Sequence, residues 1–196
     1  MTLVAAFAAS DFALIVADRR RTQLSSGTYF DDVRKIHRIS DNVAVGFSGT
    51  YKTTGRPGEV RGVAEHIINA NLIQFGGYKT VEEAARSFRR TIEEETGLKS
   101  EVTFHFAGIS ESGGFGLARL SHHEGFEPAF MVPSNGGVTW SMSRAEFSPA
   151  EWLSGRIACL TRVEPSELQK IAVELVMLTA ANDRYVSNVF DMLTLQ

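Results

Sequence analysis

Two apolar runs at the start of the chain restrict its fold more than any other stretch. Thr2-Leu3-Val4-Ala5-Ala6-Phe7-Ala8-Ala9 breaks at Ser10-Asp11 and returns as Phe12-Ala13-Leu14-Ile15-Val16-Ala17-Asp18. Two apolar runs of strand length around a short polar break read as a buried β-hairpin. Chain termini usually fray, so a core strand at residue 2 is unusual. Met1 precedes a small residue, a context in which an initiator methionine is commonly removed. Removal leaves Thr2 with a hydroxyl and a free α-amine in one residue, which together make a nucleophile and its base. With a reference pKa of roughly 7.7–8.0, a good fraction of that amine is neutral at working pH. It can take the hydroxyl proton directly or through one water. The plain alternative is that Thr2 is an ordinary strand residue.

Composition narrows the functional classes. The 196 residues suit one substantial domain, residues 1–196, and are short for two. A net charge of −3 gives no footprint for nucleic acid or an anionic membrane. No apolar run approaches the roughly 20 residues a membrane span needs. The first residues lack the basic start of a signal peptide, and Asp11 follows early. The single Cys159 excludes an internal disulfide and a Cys-based zinc site, and it fits a reducing, cytoplasmic compartment. Its helical context predicts an inert core thiol.

Beyond the hairpin, the pattern alternates between strand and helix groups. Arg19–Gln23 continues as strand, and Lys35–Ile39 alternates charged and apolar residues at period 2. Asn42–Gly49 is a further buried strand, after a turn at Ser40-Asp41-Asn42. Val60, Val63, Ala64, Ile67, Ile68 and Leu72 keep helical spacing until Gly76-Gly77. Thr80-Val81-Glu82-Glu83 has the form of a capping box, opening a helix that Gly97 closes. Strands are expected at Val102–Gly108, Phe115–Leu120, Pro128–Val132 and Val138–Met142. Two more capping boxes, from Ser148 and from Ser166, open helices, and Val189–Leu195 ends the chain as a strand. Four strands, two helices, four strands, two helices and a strand make an α+β chain, arranged as a four-layer αββα sandwich.

Four motifs carry a family resemblance. Thr2-Leu3-Val4-Ala5, Ala17-Asp18-Arg19-Arg20, Lys35-Ile36 and Gly46-Phe47-Ser48-Gly49-Thr50 resemble, in order and nearly in spacing, the N-terminal half of proteasome β-type subunits, above all the bacterial HslV peptidase. These are N-terminal nucleophile (Ntn) hydrolases with an αββα sandwich. The resemblance implies a nucleophilic Thr2, an Asp18 at the end of the second strand, a Lys35 on the third, and a backbone N–H of Gly49 as oxyanion donor. The Asp18–Lys35 spacing is one residue longer than usual, which leaves Arg34 as the alternative. The C-terminal half matches less closely. Ser141 falls where the family has a serine in a glycine-rich turn, although Trp140 and Met142 replace small neighbours. Asp183, with Ser187 after it, fits the family's aspartate late in the last long helix. By the same resemblance, the pocket for the residue before the scissile bond takes in Phe47 and Tyr51, with Arg21 at its rim. A short pocket of this kind favours small or medium apolar residues, or acidic ones.

The chemistry of these residue types fits those roles. A buried lysine ammonium beside the Thr2 hydroxyl stabilises the alkoxide, and Asp18 keeps the ammonium oriented. Elsewhere, His122-His123 has no completing pattern for a metal site, and Gly113-Gly114-Phe115-Gly116 does not lie between a strand and a helix. The expectation is therefore a threonine-type peptide hydrolase with no metal or cofactor. It would act on peptide or unfolded protein in a homo-oligomeric ring, and any ATPase unfoldase would be a separate chain. Two alternatives stand beside it: a small-molecule amidase on the same fold, and a catalytically silent structural member if Met1 is retained.

Overall fold

The computed structural model describes residues 2–23, 26–50, 64–72, 77–134, 136–143 and 146–196. The hairpin at the start is β1 (Val4–Ala8) and β2 (Ala13–Asp18). A short hairpin of β3 (Arg21–Gln23) and β4 (Thr28–Phe30) follows, then β5 (Ile36–Arg38) and β6 (Val43–Gly49). Helices α1 (Ala64–Leu72) and α2 (Val81–Thr96) lead to β7 (Val102–Ile109), β8 (Phe115–Ser121), β9 (Ala129–Met131) and β10 (Thr139–Met142). The chain closes with α3 (Ala150–Ala158), α4 (Pro165–Asn182) and β11 (Phe190–Leu195).

Two antiparallel sheets lie face to face, with strand orders β10-β1-β2-β11 and β5-β6-β7-β8-β9. Alternation along β1 and β2 explains why both strands are apolar throughout. Leu3, Ala5, Phe7, Leu14 and Val16 face a cluster with Leu168, Ile171 and Leu175 of α4. Val4, Ala6, Ala8, Ala13, Ile15 and Ala17 face the second sheet, where they meet Ile36, Ala44, Ala107 and Leu117. A sheet covered on both faces has no polar face to show. On the outer side of the second sheet, Phe88 of α2 sets its ring edge-on to Phe104 and Phe106, at 5.3 and 5.0 Å. Helices, sheet, sheet and helices are thus the four layers of an αββα sandwich. The layer between the sheets is thin. A Cβ added at Gly46 would sit 2.8 Å from Ile15 Cδ1 and 2.9 Å from Val4 Cγ1.

Helix boundaries depart from the sequence expectation in instructive ways. Thr80 does cap α2, accepting a hydrogen bond from Glu83 N, and Gly97 closes it in the left-handed conformation. The other two boxes do not form. Helix α3 begins after Pro149 and α4 begins at Pro165, each without a side-chain cap. Proline at the first position of α4 has no N–H to satisfy and a φ already suited to the helix. Cys159 ends α3 and is exposed, so it is not a core thiol. The start of the first helical pattern, residues 60–63, lies outside the described residues.

One titratable group lies inside the layer between the sheets. His105 on β7 reaches across to β10, with Nδ1 2.9 Å from the Ser141 hydroxyl. Burial lowers its pKa from 6.5 to about 3. The folded state therefore binds no proton here at pH values where the unfolded chain does, and stability falls as pH drops below about 6.5. At pH 4.5 this group alone is expected to cost about 3 kcal/mol relative to neutral pH. Thermal melts of wild type and His105→Gln from pH 7 to 4.5 check this. The wild type should lose more stability across that range, and parallel pH profiles would overturn the assignment.

Candidate active site

The segment around Thr2 is held from both sides. Toward β2, Leu3 N donates to Asp18 Oδ1 at 2.9 Å, and Asp18 N donates to Leu3 O at 3.1 Å. Toward β10, the Ser143 hydroxyl donates to Thr2 O at 2.6 Å and accepts from Val4 N at 2.8 Å, while Ser143 N donates to Val4 O at 2.8 Å. A segment at the end of a chain thus has the hydrogen bonding of a central strand. Thr2 is 7% exposed.

Lys35 precedes β5 and extends to Thr2. Its Nζ donates to Thr2 Oγ1 at 2.9 Å, to Asp18 Oδ1 at 3.1 Å and to Arg20 O at 2.6 Å. An ammonium has three protons, and each has an acceptor here. Burial pushes the Lys35 pKa down and the Asp18 pKa up, and their mutual attraction opposes both shifts. The three-acceptor geometry favours the charged lysine. Asp18 Oδ2 accepts in turn from Arg20 N at 2.7 Å and from Ser187 N at 3.3 Å. Arg34 turns away from this cluster, with Nε on Ile36 O at 3.2 Å.

Arg20, to which sequence reasoning gave no role, ties three segments together. Its guanidinium clamps both oxygens of Asp31 at 2.8 and 3.0 Å and donates to the carbonyls of Arg184 and Val186. Ser187 adds a hydroxyl hydrogen bond to Asp31, which holds that carboxyl below its ordinary pKa together with the larger contribution of Arg20. The backbone of Arg20 contacts both Asp18 and Lys35, so this clamp positions the buried pair.

Ser141 does not lie beside Thr2. The register pairs it with Ala6, deep in the sandwich, where it meets His105. Ser143, two residues on, occupies the place beside Thr2. Trp140 and Met142 do not crowd the terminus, because they pack on the opposite side, against the α3–α4 cluster. Asp183 does not reach Thr2 either. Its carboxylate accepts from the backbone N–H groups of Glu146, Phe147 and Tyr185, and so ties down the segment that follows Ser143. Only the register of β10, which composition does not reveal, separates Ser141 from Ser143.

Gly49 ends β6, exposed, at φ +104°, and a Cβ there would stand 2.2 Å from Glu101 O. Glycine is therefore required at this position by sterics alone. Phe47 is 1% exposed and packs in the helix-side core, with its ring stacked on His37. Arg21 is met by both oxygens of Asp32, at 2.7 and 2.9 Å, in an exposed ion pair. Tyr51 lies outside the described residues. Among the described residues, no group of three or more His, Cys, Asp or Glu side chains converges to hold a metal ion. His122 and His123 stack on each other at the end of β8. A concavity of about 340 Å³ lies between α3 and α4, and another of about 260 Å³ lies beside the β7–β8 turn; neither borders Thr2.

Comparison with known proteins bears on the family and the fold. A family model described as proteasome subunit matches residues 2–121. Among solved structures, the fold is similar to that of a Gly-1 mutant of Anbu from Hyphomicrobium sp. strain MC1. That match has a TM-score of 0.70 and 16% identity, and covers 98% of this chain and 80% of that one. It is also similar to eukaryotic HslV from Trypanosoma brucei, with a TM-score of 0.60 and 16% identity, covering 100% of this chain and 99% of that one. A search of curated proteins returned no match. At 16% identity the two structural likenesses concern the fold.

The two serines of β10 and its extension separate experimentally. Ser143→Ala leaves Val4 N and Thr2 O unpaired, at about 1–3 kcal/mol for each buried group. Displacement of Thr2 should then lower any amide hydrolysis by about tenfold or more. Ser141→Ala should leave hydrolysis within about twofold, since its hydroxyl bonds His105 and not Thr2. Steady-state kinetics on both variants check this, and the reverse ranking would return Ser141 to the site.

Proposed function

The chain belongs to the proteasome subunit family, and on that premise we propose that it is an N-terminal threonine peptidase acting once Met1 is removed. The observation that carries this reading is the hydrogen bond from Lys35 Nζ to Thr2 Oγ1 at 2.9 Å, in a buried site. Because Oγ1 accepts from Lys35, its own proton is free to go to another base. Lys35 has no lone pair left for it while its three donors are engaged. The α-amine of Thr2 is the base within reach, directly or through one water.

The reaction follows from these parts. Thr2 Oγ1 attacks the scissile carbonyl carbon as its proton passes to the α-amine. The tetrahedral oxygen is stabilised by the N–H of Gly49, worth roughly 3–4 kcal/mol for one donor of this kind. The C–N bond then breaks, the amine leaves with the proton from the α-amine, and an ester remains on Thr2. Water, deprotonated by the same amine, cleaves the ester and restores the hydroxyl. Lys35 holds negative charge on Oγ1 throughout, and Asp18 and Arg20 hold Lys35 in place.

The substrates in this reading are peptides or unfolded protein, processed in a homo-oligomeric ring in the cytoplasm, and any ATPase unfoldase is a separate chain. No helix among the described residues is long and apolar enough to cross a membrane. The pocket before the scissile bond is assigned to Phe47 and Tyr51, with Arg21 at its rim. A buried Phe47 makes it short, which favours small or medium side chains. The Asp32 partner of Arg21 argues against selection for acidic ones.

Intact mass of protein made with methionine aminopeptidase present should show Met1 removed. Thr2→Ala, equally processed, should abolish peptide hydrolysis with fold and assembly unchanged, and light scattering should report a large ring. Retained Met1, or Thr2→Ala activity within a few-fold of wild type, would overturn the peptidase reading. Hydrolysis by a monomer would redirect it to a small-molecule amidase.

A further inference from the structure

Asp18 does not stand alone beside Lys35. A second carboxylate, Asp31, lies between β4 and β5, four residues before Lys35, and its charge also acts on the Lys35 ammonium. Two residues connect Asp31 to Asp18, each with one group on either carboxylate. Arg20 donates its backbone N–H to Asp18 Oδ2 at 2.7 Å and sets its guanidinium on both oxygens of Asp31, at 2.8 and 3.0 Å. Ser187 donates its backbone N–H to Asp18 Oδ2 at 3.3 Å and its hydroxyl to Asp31. Asp18, Arg20, Asp31 and Ser187 thus close a cycle of hydrogen bonds. Lys35 joins that cycle at two points, through Asp18 Oδ1 and the carbonyl of Arg20.

The cycle is anchored in the fold on both sides. Ser187 is buried, and its hydroxyl oxygen accepts from Val189 N at 3.0 Å. The Arg20 guanidinium continues to the carbonyls of Arg184 and Val186, and it stands 5.4 Å from the centre of the Tyr29 ring. Its two bonds to Asp31 fix its direction as well as its distance. The backbone of Arg20, which gives an acceptor to Lys35 and a donor to Asp18, is therefore held by a side chain that Asp31 fixes. Charge works in the same sense. The Arg20 cation disfavours a charged Lys35, and the Asp31 anion favours it. Asp32, next in the chain, is engaged by Arg21. Asp183 is committed to the backbone N–H groups of Glu146, Phe147 and Tyr185.

We propose that Asp31 is a positioning residue for the reaction, acting through Arg20 and Ser187 to hold Asp18 and Lys35, and with them the Thr2 hydroxyl. The inference rests on the peptidase reading and deepens it. Without its carboxylate, the Arg20 guanidinium keeps its charge and loses its anchor. The carbonyl of Arg20 then shifts, and Lys35 Nζ shifts with it, away from Thr2 Oγ1. Lys35 also gives up its proton at a lower pH, because nothing offsets the Arg20 cation. Once Met1 is removed, a protonated α-amine adds a further cation to the site, and a second anion weighs more.

Asp31 has 30% of its side chain exposed, so the isosteric Asp31→Asn leaves the core intact. Its kcat, measured per Thr2 titrated with a peptide boronate, should fall about tenfold or more, with KM within about twofold of wild type. The alkaline limb of its kcat profile should move to lower pH. Asp31→Glu keeps the charge and both oxygens, and should recover most of the rate and return the limb. Arg20→Gln should lose kcat to a similar degree. Combined with Asp31→Asn, it should be no slower than the slower single variant, because both changes act through one contact. A kcat within about twofold of wild type, a loss with the alkaline limb unmoved, no recovery with glutamate, or a double variant that multiplies the two losses would overturn the assignment alone. If wild type cleaves no peptide and no boronate bonds to Thr2, both this inference and the peptidase reading fall.

Discussion

A buried ammonium organises this end of the molecule. Taking Lys35 and Asp18 out of water costs several kcal/mol per ion by general estimates, and their attraction repays it only with good geometry and further hydrogen bonds. Those further bonds are present. Lys35 adds Thr2 Oγ1 and Arg20 O to its aspartate, and Asp18 adds the N–H groups of Leu3, Arg20 and Ser187. These partners come from the chain start, the end of β2, the segment before β5 and the segment before β11. Much of the local architecture is therefore committed to one charge pair. Such an arrangement is a weak source of stability and a strong constraint on position, which is what a reacting hydroxyl requires.

The sandwich supplies the rigidity that this constraint needs. Alanine-rich inner faces let the two sheets approach closely, and Thr2, just before β1, is buried with them. The aromatic side chains of this hairpin and Leu14 point the other way, into the helices, where Phe7, Phe12 and Leu14 are buried with α4, while Val4 and Ile15 face inward against Gly46. An inward face of mostly alanine, with Gly46 opposite Val4 and Ile15, keeps Thr2 within reach of a lysine that precedes β5 of the opposite sheet. Arg20 completes the frame from outside, since one guanidinium joins β2 to the segments on either side of it through Asp31 and the carbonyls of Arg184 and Val186.

The sequence was legible where local pattern and spacing suffice. A doubly covered hairpin has a continuous apolar signature, and Asp18 and Lys35 lie close to it in the chain. Legibility failed where register decides. Ser141 and Ser143 lie on the same strand line, and nothing local says which of them meets the first residues; the pairing of Ala6 with Ser141 does. Asp183 matched a pattern, yet it acts on the backbone of 146–147 at a distance in sequence that no spacing rule covers. Cys159 looked apolar by its neighbours and is exposed because α3 ends there. Arg20 sat among three arginines, and only the fold distinguishes the one that bridges from those paired at the surface.

The geometry at Thr2 also shows why one peptide bond separates the competing readings. Lys35 presents a proton to Thr2 Oγ1, so the hydroxyl can polarise whether or not anything precedes Thr2 in the chain. The base is what changes. A free α-amine titrates near neutrality, whereas the same nitrogen in an amide to Met1 has no basic lone pair. Within the described residues, Lys35 is the other ionisable nitrogen that touches Oγ1, and its donors are engaged. The protein can therefore fold and hold its charge pair in either form, since Leu3, Asp18 and Ser143 secure the backbone independently of the amine. In the proposed mechanism, activity arises when a preformed site receives its base by cleavage of the Met1–Thr2 bond, without any rearrangement of the fold.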